Sequence, residues 1–496
     1  MVIGEILREV PTLESGVAPH LEIQSLAYDS RSVKPGTLFF AIQGEQADGH
    51  DFIPRALENG AVAIVSERPA PEALKSRWVR VGKIRRALAL AGRNFFHHPD
   101  LSLQLTGVTG TSGKTTTVYL LHSILAAAGI TAGLFGSIEY RFGPQTIVAK
   151  NTTPESLDLL TYFNAFREAG GNAAVMEVSS HALDQERVWG FHFKAAVFTN
   201  LTGDHLDYHK DFEHYFAAKR KLFEGLGAPP PELSVINQDD AWAARLMEIP
   251  QSRQITYGVE SNAQYRVKQF TLGSDGLRAT LAAPGGKWEI ESPLLGRGNL
   301  EDVLAAAATA DGLGIPREKI QEGISRLRQI PGRFEKIDEG QPFQVFVDYA
   351  HKYDALKNVL NTARPLARGR VITVFGCGGD RDRTKRPLMG EAAGTLSDLV
   401  VLTSDNPRSE DPISIMNDVM VGLQRASKPY LTEVDRGAAI RQAVEQARPG
   451  DVVVIAGKGH ETYQILKERT IPFDDREVAR AILHEMGWAE PGPDHS

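Results

Sequence analysis

The chain has a single cysteine, Cys377, among its 496 residues. An intrachain disulfide is therefore excluded, and a reducing compartment is the simplest environment for it. No run of eighteen uninterrupted apolar residues occurs, and the N-terminal stretch carries acidic residues inside its apolar part, unlike a secretory signal. These absences predict a cytoplasmic protein with no membrane partner.

Positive charge is also in short supply, because 55 Lys and Arg residues stand against 62 Asp and Glu residues, for a net charge of −7. That balance argues against general binding to nucleic acid. Internal repeats, heptad runs and low-complexity tracts are missing as well. What remains is ordinary for a soluble globular enzyme, with 42% hydrophobic and 24% charged residues. The length predicts about three domains.

The stretch from Leu105 to Tyr119 reads LTGVTGTSGKTTTVY and predicts a strand end, a glycine turn and a helix start. Glycines let backbone N–H groups turn toward an anion, and the helix offers its positive N-terminal end. Lys114 adds a charge for the outer phosphates, and the Thr115 hydroxyl suits a nucleotide-bound Mg²⁺. Val108 stands where the strict P-loop spacing requires glycine. This P-loop variant predicts triphosphate binding; the alternative is a glycine-rich turn that happens to carry a lysine.

The first segment, residues 1–99, contains short strand-like runs at 38–42 and 61–65, which predict a small α/β domain. Its Asp-Ser-Arg turn at 29–31 has an arginine, a hydroxyl and backbone groups that could hold a diphosphate. From this segment alone, a salt-bridged turn is the favoured interpretation.

The second segment, residues 100–330, alternates helical and strand patterns after the phosphate loop. Two apolar runs, at 173–180 and 195–209, end in polar clusters, as parallel strands do where loops leave their carboxyl ends. Glu177 and His205 fall in these clusters. An oxygen and an imidazole beside a triphosphate suit Mg²⁺ or Mn²⁺, while a capped strand end is as good an interpretation for either residue alone.

A helix is predicted over 211–223, with an apolar stripe that contains Lys219, whereas Lys221 points away. Burial would favour the neutral amine, which can react with CO₂ to form an anionic carbamate. By periodicity alone, a lysine that reaches out to water is the better interpretation. The apolar members of the stripe are Phe212, Tyr215, Phe216, Leu222 and Phe223.

The third segment, residues 331–496, holds buried-strand runs separated by helical patterns, which predict a second doubly wound sheet. Each run ends in glycine or charged residues, and four such clusters at one sheet edge predict a binding site. The runs lie at 343–351, 370–382, 398–408 and 451–461. Their carboxyl ends present Asp348, His351, Arg381, Asp405, Arg408 and Glu461.

Motifs in all three segments resemble the Mur ligases, and most closely their MurE branch. The Asp-Ser-Arg turn and GEQADGHDFI at 44–53 match the MurE type of UDP-binding domain. One departure is Lys352-Tyr353 after the DYAH motif, where the family usually has Thr-Pro. The remaining motifs are GVTGTSGKTTT, NTTPES (151–156), MEVSSHAL (176–183), TNLTGDHLDYH (199–209), AAKRKLF (217–223), PGRFE (331–335), DYAHKYDAL (348–356), GCGGDRDRTKRPLM (376–389), SDNPRSEDP (404–412) and GKGHE (457–461).

The resemblance implies three α/β domains: a UDP-binding domain at 1–99, a central P-loop-type ATPase domain at 100–330 and a Rossmann-like amino-acid-binding domain at 331–496. It implies an ATP-dependent amide ligase of peptidoglycan precursor synthesis. This enzyme would add meso-diaminopimelate to UDP-N-acetylmuramoyl-L-Ala-D-Glu through an acyl phosphate. ATP, Mg²⁺ and a carbamate on Lys219 are the implied cofactors, and a monomer is expected.

The resemblance also implies roles for single residues. The catalytic set is Lys114, Glu177, His205 and Lys219, and the metal set is Thr115, Glu177, His205 and Lys219. ATP is matched by Gly110, Thr111, Gly113, Lys114, Thr115, Thr116, Asn299, Arg333, Asp348 and His351. The UDP substrate is matched by Ser30, Thr152, Thr153, Ser179, Gln185 and Arg187, and the amino acid by Arg381, Asp405, Asn406, Arg408, Gly457 and Glu461.

Several alternatives stay open from the sequence. The same reaction could use L-lysine, and a folylpolyglutamate-synthase-like ligase shares the ATPase core. A P-loop kinase or motor would have no need of the UDP-type domain. A silent nucleotide-sugar sensor would have lost the metal ligands, which are all present here. Arg408 favours meso-diaminopimelate over lysine, because its guanidinium matches the second carboxylate in two parallel hydrogen bonds.

Overall fold

The computed structural model describes residues 1–44 and 47–488. Glu45 and Gln46 of the GEQADGHDFI motif, and the last eight residues of the predicted third domain, lie outside this description. Contacts divide the chain into two compact units, residues 1–266 with 304–323, and residues 267–303 with the chain from Ile324 onward. This division does not test the boundaries at 99/100 and 330/331, which stay predictions.

The N-terminal part of the first unit is a five-stranded sheet in the order β1-β5-β4-β3-β2, with β1 antiparallel at its edge. The run predicted at 38–42 is β3 and the run at 61–65 is β4, and both are almost wholly buried. The strands are β1 Thr12–Ser15, β2 Ser25–Ala27, β3 Thr37–Phe40, β4 Ala61–Ser66 and β5 Trp78–Val81, and the helices are α1 Ile3–Ile6, α2 Ile53–Glu58 and α3 Ile84–Phe95.

The rest of the first unit is built on parallel strands in the order β13-β12-β11-β6-β10-β7, continued by the antiparallel β8 and β9. The phosphate-loop strand β6 is central, between β11 and β10. Its strands are β6 Gln104–Thr109, β7 Ala132–Phe135, β8 Glu139–Phe142, β9 Gln145–Val148, β10 Ala173–Glu177, β11 Phe193–Phe198, β12 Leu233–Asn237 and β13 Arg253–Gly258. The helices are α4 Lys114–Ala127, α5 Ser156–Glu168, α6 Ser180–Asp184, α7 Leu206–His209, α8 Phe212–Glu224 and α9 Ala243–Met247.

Five further elements follow β13 along the chain, and two of them, β15 and β16, pair as an antiparallel hairpin within the second unit. No helix in the described part of the chain combines the length and the apolar character that a membrane span requires. These elements are β14 Tyr265–Gly273, β15 Gly276–Ala283, β16 Gly286–Ser292, α10 Arg297–Gly312 and α11 Arg317–Arg326.

The C-terminal sheet has the order β17-β18-β22-β19-β20-β21, parallel except for β17. All four predicted buried runs are strands of this sheet. Its strands are β17 Glu335–Ile337, β18 Gln344–Asp348, β19 Val371–Phe375, β20 Leu399–Leu402, β21 Tyr430–Thr432 and β22 Val452–Ala456, followed by the hairpin β23 Tyr463–Ile465 and β24 Thr470–Pro472. The helices are α12 Tyr353–Ala363, α13 Lys385–Leu396, α14 Pro412–Ala426, α15 Arg436–Gln446 and α16 Asp475–Glu485.

The predicted helix at 211–223 is α8, and Asp211 caps it by accepting a hydrogen bond from the His214 N–H. Most of the predicted stripe is buried, but Phe212, the first residue of the helix, is 39% exposed. Lys221 forms an ion pair with Asp184 on the outer side. The helical period was therefore assigned correctly, apart from its first position.

Helices α13 and α14 pack closely because glycines replace side chains where they meet. A Cβ added at Gly422 would overlap the Pro387 carbonyl oxygen. Gly298, in α10, has no atom within 4 Å of its added Cβ. The two helical glycines therefore form a matched pair for a stability experiment.

Gly422→Ala is expected to lower the free energy of unfolding by about 1–3 kcal/mol, since the helices must separate to admit the methyl group. Gly298→Ala should change it little, or raise it by up to about 1 kcal/mol, because alanine favours the helix. Urea unfolding followed by circular dichroism measures both. Equal effects of the two substitutions would contradict close packing at Gly422.

Candidate active site

The phosphate loop joins β6 to α4 in the geometry that the sequence predicts. Gly113 precedes α4 with a φ of +85°, a region that favours glycine. A Cβ at Gly110 would overlap the Thr199 hydroxyl oxygen, which follows the neighbouring strand β11. Glycine is therefore required at both positions, and the loop amides and the start of α4 remain directed to one place.

Two lysines meet at one carbonyl of this loop. Lys114 Nζ donates to the carbonyl oxygens of Gly110 and Thr111, each at 3.0 Å, and Lys219 Nζ donates to Gly110 O at 2.8 Å. Lys219 is only 1% exposed, so the interpretation of a lysine that reaches out to water is wrong. Its helix packs against the loop, and the side chain follows the apolar face inward. The predicted catalytic lysines thus lie together.

The Lys219 ammonium also lies 4.4 Å from the centre of the Tyr215 ring, a cation–π contact. The hydroxyl of Tyr215 is 3.1 Å from Thr111 Oγ1 of the phosphate loop. Burial, before any charged neighbour, raises the pKa of Tyr215 above its ordinary value, so its hydroxyl stays protonated. Sequence reasoning placed Tyr215 in the apolar stripe and missed this polar role.

Thr115 and Glu177 form an oxygen site beside the loop. Thr115 Oγ1 donates to Glu177 Oε1 at 3.0 Å, and Ser137 donates to the same carboxylate through its N–H and its hydroxyl. Glu177 is buried at the end of β10. A hydroxyl and a carboxylate side by side are hard oxygen ligands, so their chemistry fits Mg²⁺. Ser137 was not predicted, because a single serine on a loop gives no sequence signal.

His205 shares its surroundings with Lys219 through Tyr215, whose ring centre lies 6.3 Å from that of His205. Its Nε2 is 3.0 Å from Asp204 Oδ2. Within residues 1–44 and 47–488, no three His, Cys, Asp or Glu side chains are arranged to hold a metal. The predicted metal set contains two residues of those types, Glu177 and His205, and Asp204 adds a carboxylate beside His205.

Two further histidines surround His205. The His181 ring lies 4.7 Å from it, edge to face, and His209 Nε2 is 2.9 Å from Ser180 Oγ. Burial, and then the neighbouring imidazoles, lower the pKa of His181 to about 4; burial also lowers that of His209 to about 4. Both are therefore neutral near pH 7 and add no positive charge to the site.

Four of the residues predicted for the UDP substrate form one connected group. Thr153 Oγ1 donates to the Glu177 carbonyl and accepts from the Ser179 N–H at 3.0 Å. Arg187 Nη1 donates to the Thr153 carbonyl at 2.9 Å, and its guanidinium also bonds Gln185 Oε1. The group is therefore bonded to the main chain of Glu177, a residue that the sequence predicts to bind the metal.

The other two predicted UDP residues differ, because Thr152 is linked to the Glu177 carboxylate through Ser137, whereas Ser30 lies in a separate turn. Thr152 Oγ1 accepts from the Ser137 hydroxyl at 3.0 Å. Ser30 is buried in a turn where the Arg31 guanidinium bonds the Asp29 carboxylate. That contact holds the pKa of Asp29 below its usual range. The salt-bridged turn favoured for this segment is therefore confirmed.

The second unit holds the remaining residues predicted for ATP. Asp348 ends β18 and accepts hydrogen bonds from the N–H groups of Phe334 and Ala350, at 2.7 and 2.8 Å. The Arg333 guanidinium lies over the Tyr349 ring at 4.7 Å. Burial raises the pKa of Asp348 to about 6, against the lowering effect of Arg333. A buried carboxyl group whose pKa is raised in this way is typical of functional sites.

His351 and Asn299 also belong to the second unit. His351 Nδ1 is 2.9 Å from the Tyr349 carbonyl, and Lys385 Nζ donates to the His351 carbonyl at 3.1 Å. Lys352, the departure from the family pattern, is extended and directly precedes α12. Asn299 Nδ2 donates to Leu295 O at 2.8 Å near the start of α10.

The predicted amino-acid residues gather at the carboxyl edge of the C-terminal sheet. Asn406 Nδ2 donates to Glu461 Oε2 at 2.9 Å, and Arg408 Nη1 donates to the Gly379 carbonyl at 2.7 Å. Asp405 is buried beside Gly457, and its Oδ2 atom has no hydrogen-bond partner among the described residues. An unsatisfied buried carboxylate oxygen favours a cationic ligand group.

Arg381 is exposed and donates to the Asp380 carbonyl. Both it and Arg408 flank Gly378, whose added Cβ would lie 3.9 Å from Arg381 Cγ and 2.9 Å from Arg408 Nη1. Sequence reasoning missed Lys458, a buried lysine bonded to Asn406 and Glu461. The signal was a lysine between two glycines after a buried strand.

Family models match three successive parts of the chain. They are described as Mur ligase family, catalytic domain (residues 22–95), Mur ligase middle domain (108–310), and Mur ligase, glutamate ligase domain (332–459). A relative from Solibacter usitatus (strain Ellin6076), named UDP-N-acetylmuramoyl-L-alanyl-D-glutamate--2,6-diaminopimelate ligase, is 54% identical over 98% of this chain and 99% of its own.

Solved structures agree with these matches. One of a ligase with the same name is 33% identical, with a TM-score of 0.70 over 98% of this chain and 99% of that chain. A MurF ligase from Thermotoga maritima, solved with ADP, is 20% identical with a TM-score of 0.63 over 93% and 96%, a likeness of fold alone. The predicted three-domain α/β architecture is therefore confirmed.

Asp348→Asn is expected to stabilise the protein at about pH 8 by about 1–2 kcal/mol. The gain from removing a buried negative charge is expected to exceed the cost of the amide, which leaves one of the two backbone N–H groups without its acceptor oxygen. Since the pKa is about 6 in the folded chain and ordinarily 3.8, the stability that Asp348 gives is present below pH 3.8 and lost as the pH rises through 6. The thermal unfolding midpoints of the variant and of the wild type are compared at about pH 8 and pH 4.5. The gain in stability of the variant should be smaller at the lower pH. A variant less stable than wild type at both values would contradict this account.

Proposed function

Because the chain belongs to the Mur ligase family, we propose that it is an ATP-dependent ligase that joins meso-diaminopimelate to UDP-N-acetylmuramoyl-L-Ala-D-Glu. The reaction would supply a peptidoglycan precursor. The single observation that carries the proposal is 54% identity, over nearly the whole of both chains, to a relative with that name. We further propose a monomer that works in the cytoplasm, as the sequence predicts.

The loop of the first unit binds the β and γ phosphates of ATP in this proposal. Two ammonium groups donate to the Gly110 carbonyl, and phosphate oxygens are better acceptors than a carbonyl. Lys114 leads α4, so its charge adds to the positive end of that helix. This preorganised charge stabilises the phosphoryl group during transfer.

Thr115 and Glu177 hold Mg²⁺, which supplies charge neutralisation on the phosphates when bound. Ser137 and Thr153 support this pair, because they bond the Glu177 carboxylate and the Glu177 carbonyl, respectively. The two residues therefore fix the carboxylate before any ligand arrives. Thr153 also links it to Ser179 and Arg187, so the substrate and metal residues share one rigid network.

Lys219 carries a carbamate in this proposal. The neutral amine combines with CO₂, a C–N bond forms, and one proton is released to water. The carbamate keeps one N–H, which is enough to retain the bond to the Gly110 carbonyl. Its two oxygens then give the site the anionic charge that His205 alone does not provide.

The chemistry proceeds in two steps. A carboxylate oxygen of the D-Glu residue attacks the γ-phosphorus of ATP, and ADP leaves. The free amine of diaminopimelate then attacks the carbonyl carbon of the acyl phosphate, inorganic phosphate leaves, and the nitrogen loses one proton. The amide forms because phosphate is a far better leaving group than the oxide of a carboxylate.

The second unit binds the amino acid. Arg408 takes the distal carboxylate, Asp405 and Glu461 take an ammonium group, and Arg381 takes the other carboxylate. The unpartnered Asp405 Oδ2 supports the ammonium site. L-lysine lacks the distal carboxylate and would leave the Arg408 guanidinium without its anion.

Lys219→Ala is expected to reduce tripeptide synthesis by about 10²–10³-fold, because the anionic ligand is lost. Acetate at millimolar concentration should restore part of the activity in this variant. Lys221→Ala removes an outward-facing lysine of the same helix and is the control, for which little change is expected. Full activity of the Lys219→Ala enzyme would rule out the carbamate.

Arg408→Ala is expected to reduce the preference for meso-diaminopimelate over L-lysine by about ten- to hundred-fold in kcat/KM, the value of a charge-assisted hydrogen bond. The substitution adds no new backbone strain, since arginine already occupies a φ of +54°. Arg408→Lys tests the guanidinium fork separately from its charge, and exposed Arg425→Ala is the control. An unchanged preference in Arg408→Ala would show that another group selects the amino acid.

A further inference from the structure

Lys458 is completely buried, at 0% exposure, in the loop that follows β22. It stands between Gly457 and Gly459, both with positive φ, so the backbone turns sharply on either side of it. A lysine without solvent requires partners that compensate the lost hydration of its ammonium. The identity of those partners indicates what the buried charge does.

The ammonium of Lys458 closes a triangle with two residues that we assign to the amino-acid site. Its Nζ donates to Glu461 Oε2 at 3.0 Å and to Asn406 Oδ1 at 3.2 Å. Asn406 Nδ2 donates to the same Glu461 Oε2 at 2.9 Å. The Ile465 N–H also donates to Asn406 Oδ1, at 2.9 Å, which fixes the orientation of the amide.

We propose that Lys458 is a positioning residue for the incoming amino acid, because it holds the Glu461 carboxylate and the Asn406 amide in one fixed arrangement. This inference rests on the proposed function, in which Glu461 receives an ammonium group of the substrate. Lys458 itself does not touch the substrate. It acts through Glu461, whose second oxygen, Oε1, is left for the ligand.

The burial of the three residues supports this division of roles. Lys458 is 0% and Asn406 3% exposed, whereas the Glu461 side chain is 17% exposed. Both hydrogen bonds to Glu461 end on the same oxygen, so the carboxylate is held on its inner side. Asn406 therefore also positions Glu461, since its oxygen and its nitrogen are both used within the triangle.

The other charges at this edge do not replace Lys458. The Arg436 guanidinium is committed to Asp475 in a buried pair with two bonds of 2.7 Å. Asp405 adds a second negative charge near Glu461, and Tyr349 and Tyr463 also face this carboxylate. Among the residues that the structure describes, Lys458 is therefore the cation bonded to Glu461.

The test compares Lys458→Met, which keeps the length of the side chain and removes its charge, with Lys458→Gln, which keeps a hydrogen-bond donor. Lys467→Met removes an exposed lysine from the β23–β24 turn and serves as the control for net charge. KM and kcat are measured separately for meso-diaminopimelate, ATP and the UDP-dipeptide. Thermal unfolding confirms that each variant is folded.

Lys458→Met should raise KM for meso-diaminopimelate about ten- to hundred-fold and leave KM for ATP and for the UDP-dipeptide within about two-fold. Lys458→Gln should recover part of the loss, and Lys467→Met should match wild type. If Lys458→Met fails to fold, Lys458→Gln provides the same test, which is whether KM rises for meso-diaminopimelate and not for ATP or the UDP-dipeptide. Equal increases in all three KM values would indicate a merely structural role and overturn the proposal.

A double-mutant cycle with Glu461→Gln adds a second readout. If Lys458 acts through Glu461, the double variant should lose little more than Glu461→Gln alone. Independent, additive losses would overturn the proposal. Failure of the proposed function is distinguishable, because wild type would then release no ADP with meso-diaminopimelate, whatever residue stands at position 458.

Discussion

The region around the phosphate loop depends on one contact, in which two lysine ammonium groups donate to the Gly110 carbonyl. Lys114 arrives from the start of α4 and Lys219 from the buried face of α8. Charged groups held close together away from water need compensating charges or hydrogen bonds. In the proposed function, the phosphates of ATP compensate this charge and carbamylation of Lys219 changes its sign. Glycine at 110, the Thr199 hydroxyl and the Tyr215 ring all serve to hold this arrangement.

In the second unit, acidic and basic side chains offset one another at the carboxyl edge of the C-terminal sheet. Strands β18 and β22 are parallel neighbours, so Asp348 and Gly457 leave the sheet side by side, and the Gly457 N–H donates to the Asp348 carbonyl. Asp405 follows β20 at the same edge. Acidic side chains gather there because parallel strands end together, and Lys458, Arg436 and Arg408 offset them. A dicarboxylic, diammonium amino acid matches such an alternation of charges.

Much of the fold and of the candidate site could be predicted because the strands that carry the site residues are parallel. Hydrophobic periodicity and turn residues predicted the strands β6, β10 and β11 and the four buried runs of the third segment. The rule that loops leave the carboxyl ends of parallel strands placed Glu177 and Asp405 at those ends correctly. Side-chain direction was harder to predict. Periodicity placed Lys219 on the buried face, yet the usual behaviour of lysine suggested that its ammonium reaches water. The Gly110 carbonyl, 109 residues away, and the Tyr215 ring hold the ammonium inside, and the first of these contacts cannot be read from a helical period. Lys458 was missed because one of its partners, Asn406, is 52 residues away in sequence, although the other, Glu461, is only three residues away. Phe212 was assigned to the core because a helical pattern does not reveal where packing against the sheet begins.

The central claim is that the chain activates a carboxylate by phosphorylation, and oxygen transfer tests it most directly. UDP-N-acetylmuramoyl-L-Ala-D-Glu with ¹⁸O in the γ-carboxylate of its D-Glu residue is incubated with ATP, Mg²⁺ and meso-diaminopimelate, and the released inorganic phosphate is analysed by mass spectrometry. The account predicts one ¹⁸O atom in each phosphate, because the carboxylate oxygen that attacks the γ-phosphorus leaves with it. Unlabelled phosphate alongside labelled tripeptide would contradict an acyl phosphate.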